Sequence, residues 1–260
     1  MSAFLMRVFR KNSAEMPFLD HLEELRWRLI WSLGTVFVAA IAGFFLVKEL
    51  NVIGILIEPL KPFLDGGKVN YTSPTDPFFI TLKLGILVGF LLAGPVVVYH
   101  VWAFLSPALM ASEKRAIVPA LYFGLLLFAG GVAMAYFIVL PTTLSFTMSF
   151  QTESMEEMIN VKEYFSLVTR LLLAFGLVFE MPVVILALSA LGIVTPQFLA
   201  EKRRYAIAGI AVVSSVITPG DVITVTIMMM IPLVLLYEIS IGLSRLVYRK
   251  RLAAIEALQE

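Results

Sequence analysis

Cysteine is absent from all 260 residues, which excludes disulfides, thiolate metal sites and thiol nucleophiles together. Histidine occurs only twice, at His21 and His100, and two residues so far apart in sequence cannot alone make a typical zinc site. Charge is scarce as well: 15% of residues are charged, where soluble domains carry about 25%. Basic and acidic residues nearly balance, and a net charge of +1 gives no electrostatic reason to bind nucleic acid. No phosphate-binding loop is present, because DGGK at 65–68 lacks the required spacing. Ser214 and Ser215 are far in sequence from either histidine, so no catalytic constellation emerges. Neither an enzyme nor a cofactor is expected.

What the chain has in excess is apolar surface. Sixty per cent of its residues are hydrophobic and its mean hydropathy is +0.92, more than one soluble core could hide. An all-α integral membrane protein is expected. A helix needs about 20 apolar residues to cross roughly 30 Å of hydrocarbon. Runs at 29–47, 78–101, 117–140 and 164–191 meet that length. Two more, at 205–218 and 222–240, are separated only by PGD and read as a short hairpin. The fifth run is about 13 residues, or roughly 20 Å long, so the bilayer should thin around it. The expected organisation is a single polytopic domain over 1–260. It comprises an amphipathic segment at 1–28, a six-helix bundle at 29–240 and a tail at 241–260.

Orientation follows from Lys and Arg in the short connections. With the N-terminus inside, the inside segments 1–28, 102–116, 192–204 and 241–260 carry five, two, three and four basic residues, fourteen in all. The outside segments 48–77, 141–163 and 219–221 carry three, one and none, four in all. Both termini are therefore expected in the cytoplasm. The N-terminal segment has basic residues but no apolar region followed by a small-residue cleavage site, so it reads as retained.

Polar residues within this frame are the candidates for function. In PFLDHLEELRWRLI, Phe18, Leu22, Leu25 and Leu29 form a stripe at helical period, with Pro17 in the first turn. Glu23 can pair with Arg26, and Glu24 with Arg28. The segment reads as an interfacial helix whose acids are either solvated or bind something basic. In WAFLSPALMASEKR, Ser106 and Pro107 suit a helix start, and Glu113 is either a surface acid or part of a site. Lys83 and Arg170 can snorkel to the outer interface, and Glu238 sits near the inner end of the last helix. Glu180, inside AFGLVFEMP, has no such escape. It must be protonated, face a wet cavity or meet a partner on another helix, and Pro182 loosens the helix beside it.

Six motifs in order and spacing resemble one family. They are HLEELRWRL (21–29), SPTDPFF (73–79), VWAFLSPAL with EKR (101–115), AYFIVLP (135–141), AFGLVFEMP (174–182) and TPGD (218–221). The family is TatC, the polytopic core of the twin-arginine protein translocase. The resemblance covers residues 16 to 250 and implies six helices in a concave, glove-like bundle, with helices 5 and 6 short and both termini cytoplasmic. It implies a bacterial cytoplasmic (inner) membrane protein that recognises twin-arginine signal peptides of folded cargo. Such proteins assemble in multimeric complexes with TatA/TatB-type single-span partners and use the protonmotive force.

The same resemblance places the signal-peptide site at Glu24 and Glu113. Phe104 and Pro107 shape it, and Arg26 orients Glu24. Glu180 lies in an intramembrane polar groove, and Pro59 sits in an outer-loop turn. Thr218 and Asp221 belong to the outer turn that docks partners. Two residues depart from the family pattern: His100 stands where glutamine is common, and Val225 where relatives are often polar, so docking there would either rest on Thr224 or Thr226 or be more apolar. The rival readings are a small secondary transporter with Glu180 as proton or substrate site, and a membrane scaffold without a receptor site.

Overall fold

The computed structural model describes residues 18–64, 69–108, 111–149, 159–217 and 223–256. These are helical nearly throughout, and β pairing among them is confined to an isolated bridge between Asn70 and Asn160. Five helices are long and apolar enough to cross a membrane: Leu22–Glu49, Asp76–Phe104, Val118–Met148, Val161–Ala190 and Met229–Arg249. The other helix of the expected six, Arg203–Ile217, has 15 residues. At 1.5 Å per residue it is about 22 Å long, short of a full crossing as its sequence predicts.

Three boundaries differ from expectation. The stripe at 18–29 is not a separate interfacial helix but the start of the first span, an unbroken helix over Phe18–Glu49. Neither glycine nor proline interrupts the join, so nothing ends the helix at the membrane surface. Ser106 does not begin a helix either. Its backbone is helical and its N–H bonds to the Trp102 carbonyl, so it continues the second span, Asp76–Leu105, into a 3₁₀ turn over Ser106–Ala108. The last helix, Ile223–Glu256, is longer than 222–240 because the basic run after 240 carries no strong breaker and stays helical. Pro17 and the turn at Pro219-Gly220 lie outside the described residues.

The first and second spans pack closely and antiparallel. A Cβ on Gly43 would lie 2.3 Å from the Gly85 carbonyl oxygen, and one on Gly89 would lie 2.3 Å from the Ala40 Cα. Gly85 and Gly89 are four apart on one face, the spacing by which helices in lipid bring their backbones together. The first span is otherwise peripheral: only 11% of its apolar window is buried in the bundle, against 44% for the fourth.

The third span starts at Ala111–Met134, widens into a π turn at Ala135–Val139 and continues through Leu140–Met148. The π turn falls just ahead of Pro141, which has no N–H to give the preceding turn. The fourth consists of Val161–Phe179 and Met181–Ala190, with Glu180 at the break. Pro182, near the start of the second piece, cannot continue the ladder of the first.

At the end of the bundle away from Phe18, the chain bends at Asn51, whose φ of 49° is tolerated by asparagine. It then forms a short helix, Val52–Ile57, and a 3₁₀ helix, Glu58–Phe63, with Pro59 in its first turn. Leu56 and Leu60 point into the main core beside Leu84, Phe165 and Phe175. Two tyrosines fasten this segment: Tyr136 donates to the Ile55 carbonyl at 2.6 Å, and Tyr164 donates to the Leu56 carbonyl. Replacing both by phenylalanine leaves two carbonyls without these partners, at a cost of about 1 kcal/mol or more each. Hydrogen exchange of amides 52–63 should then accelerate severalfold while exchange in the second span stays unchanged.

Candidate functional site

The packing of the first two spans fixes where Glu24 sits. Ala40 lies against Gly89 and Phe44 against Gly85, so each step back along the first helix is a step forward along the second. Carried to the end that holds Phe18, this register sets Glu24 level with Leu105. The same end of the bundle holds Phe104, which is half-buried, and the Ser106–Ala108 turn, on which Pro107 is exposed. Glu113 follows within the first turn of the third span. Three elements thus bring Glu24, Phe104, Pro107 and Glu113 to one end of the bundle.

Glu24 is held in place. Its Oε1 accepts from Arg28 Nε at 2.8 Å and also from Arg28 Nη2, a pair of donors from one guanidinium one turn along the same helix. Four residues is the spacing at which helical side chains meet, and both side chains are largely shielded, at 21% and 25% exposure. Arg28 is thus the residue seen paired with Glu24. Two residues along a helix is about 200° of rotation, which turns Arg26 away from Glu24, and it is exposed.

Glu180 sits at the break of the fourth span, half-buried, with its carboxyl group turned to the third. A Cβ on Gly124 would come within 2.7 Å of Glu180 Oε2 and 3.1 Å of Val183 Cγ2. Glycine at 124 leaves the room that the carboxyl group occupies. The carboxyl group is the far end of a flexible chain, whereas Val183 is fixed by its helix. Gly124→Leu should therefore displace Glu180 and destabilise the protein, and Glu180→Ala in the same chain should recover part of the loss. A double-mutant cycle of thermal unfolding checks this, with a coupling of about 0.5–3 kcal/mol expected. Gly131 and Gly176 extend the same interface: a Cβ on Gly131 would lie 2.6 Å from the Phe175 carbonyl oxygen.

Of the docking residues, Thr226 is half-buried on the last helix and Thr224 lies in that helix's first turn. Thr218 and Asp221 lie outside the described residues. Glu238 has a partner the sequence did not reveal. Arg203, the first residue of the short fifth helix, donates to its Oε2 at 2.8 Å. His100 is half-buried, with its ring edge-on to Tyr99 at 5.6 Å between centroids.

These features define a polytopic helical membrane protein with one short helix and a carboxyl group lodged between two spans. Residues 20–232 match the family described as "Sec-independent protein translocase protein (TatC)". The chain is 41% identical to the TatC of Aquifex aeolicus over 238 residues, covering 91% of this chain and 98% of that one. It is 36% identical to the TatC of Escherichia coli over 230 residues, covering 88% of each. Among solved structures, the crystal structure of the twin arginine translocase receptor TatC in DDM superposes with a TM-score of 0.76 at 40% identity. That match covers 86% of this chain and 99% of the other. The chain belongs to the TatC family.

Proposed function

We propose that this protein is the receptor for twin-arginine signal peptides and the core of a translocase that exports folded proteins on the protonmotive force. The observation that supports the reading is Glu24, bonded to Arg28 at the end of the bundle that also holds the 104–107 turn and the start of the third span. Glu113, on that third span, supplies the second acid. Two neighbouring arginines on a peptide need two carboxylates at fixed positions. A guanidinium presents a planar fork that meets a carboxylate with two parallel hydrogen bonds, and an ammonium cannot reproduce it. Arg28 already engages one oxygen of Glu24, but a carboxylate has capacity for more than one donor group. Phe104 and Pro107 would give the site its apolar wall, and Arg26, exposed on the outward face of the same helix, would lie at its edge.

The distribution of lysine and arginine supports a bacterial cytoplasmic membrane protein with both termini inside, which puts the acids on the side from which cargo arrives. TatA/TatB-type single-span proteins are the partners we infer, docking through Thr218, Asp221, Thr224 and Thr226 around the short fifth helix. Glu180, lodged between the third and fourth spans, would provide a polar point in the groove where the inserted peptide lies.

The test is binding of a synthetic twin-arginine signal peptide to the full-length protein in detergent, beside the same peptide with both arginines changed to lysine. The arginine peptide should bind at least tenfold more tightly. Equal binding of the two would place recognition elsewhere and favour a scaffold without a receptor site.

A further inference from the structure

A cavity of about 360 Å³ opens at the end of the bundle opposite Glu24 and plays no part in the reading above. Lys83 and Lys162 both line it, from the second and fourth spans, together with the hydroxyl-bearing Ser73 and Thr75. Phe79 and Ile80 form its apolar side. Lys83 lies seven residues into the second span, about 10 Å along the helix from its start, deep enough that an ammonium facing lipid would be costly. Its side chain lines the cavity while remaining exposed, as does that of Lys162.

The walls are built before any ligand arrives. Val161 N–H donates to the Asn70 carbonyl at 3.0 Å. The Asn160 side chain donates to Thr72 Oγ1 at 2.8 Å and accepts from Lys162 N–H at 2.9 Å. Asp76 is the one carboxylate in the lining, and it is buried. Its Oδ2 accepts from the backbone N–H groups of Ser73 at 2.9 Å and Thr72 at 3.3 Å. Two ammonium groups against one backbone-bound carboxylate leave the lining net positive. Glu163, next to Lys162, is exposed and is not part of the lining.

We propose that this cavity binds the phosphate headgroup of an anionic membrane lipid. Lys83 and Lys162 meet the phosphate, Ser73 and Thr75 hydrogen-bond to it, and the acyl chains run down the outside of the second span. The volume is at the lower end for small-ligand sites and too small for a whole lipid. Beside it, Phe78 and Phe79 are more than half exposed on a membrane-spanning helix and offer the acyl chains an apolar surface that a free phosphate ion could not use. The proposal stands whether or not the protein reads twin-arginine peptides.

Native mass spectrometry of the full-length protein in detergent tests it, with phosphatidylglycerol, phosphatidylcholine and inorganic phosphate as the probes. Phosphatidylglycerol should be retained and phosphatidylcholine, whose own cation meets the lysines, should not. A Lys83→Gln, Lys162→Gln variant should bind phosphatidylglycerol roughly thirtyfold more weakly, at the usual worth of two basic residues beside anionic lipid. The paired arginine variant should keep the lipid, and Lys48→Gln with Lys61→Gln, two exposed lysines at the same end, should change nothing. Should the double glutamine variant fail to fold, Lys162→Gln alone should lose roughly fivefold. Equal retention of both lipids, or undiminished binding by the glutamine variants, overturns the proposal. Displacement of the lipid by equimolar inorganic phosphate also overturns it and identifies a free-phosphate site instead.

Discussion

The Glu24→Ala, Glu113→Ala double variant should bind a twin-arginine signal peptide about a hundredfold more weakly than the parent and should no longer distinguish it from the twin-lysine peptide. Each hydrogen bond to a charged group is worth about 1.5–3 kcal/mol, and each 1.4 kcal/mol is tenfold in affinity. One such loss at each acid therefore accounts for the hundredfold. The Glu24 half should exceed its share, because removing that carboxylate also frees the Arg28 guanidinium, now a like charge facing the incoming arginines. Glu24→Gln keeps the shape and removes the charge, so it should recover little. Fluorescence anisotropy with a labelled peptide, run at two salt concentrations, reads both the affinity and its electrostatic share, since exposed pairs weaken as salt rises. A double variant that binds as tightly as the parent and still prefers arginine would falsify the two-acid site.

The frame of this site was legible in the sequence because it rests on strong local signals. Long apolar runs, sparse charge and a one-sided distribution of lysine and arginine gave the spans. The PGD break between two apolar runs gave a short fifth helix, seen as Arg203–Ile217. The break at Glu180 was readable from Pro182, which cannot donate to the turn behind it. Contacts between distant segments were not readable. That Glu180 lodges against Gly124 depends on the third and fourth spans meeting at that level, and neither residue signals the other. Arg203 meeting Glu238 across 35 positions is of the same kind. The choice of Arg28 over Arg26 as the partner of Glu24 was available from helical spacing alone, since only the former lies one turn away. The interfacial helix was misjudged because an amphipathic stripe does not say where a helix stops. With no glycine or proline at the membrane surface, the helix continues.

Gly89 is where the fold and the site are tied most tightly, and Gly89→Val should damage both. Its added carbons would meet Ala40 Cα at 2.3 Å, Ala40 N at 2.4 Å and Ala39 C at 2.7 Å, all of them backbone atoms that no side-chain rotation can move away. The only relief is for the first span to back away from the second. The first span has little else to hold it, since most of its apolar window lies outside the bundle. Overpacking of this kind costs about 1–3 kcal/mol, so the thermal unfolding midpoint in detergent should fall by several degrees. Binding should fall with it, although Glu24, Arg28 and Glu113 are untouched, because the register that sets Glu24 level with Leu105 runs through this contact. Gly34→Val, on the first span, is the control: a Cβ there meets nothing within 4 Å, so neither stability nor binding should drop. If Gly89→Val unfolds earlier yet binds the arginine peptide with parental affinity at low temperature, the Gly85–Gly89 contact holds the helix but does not position the acid.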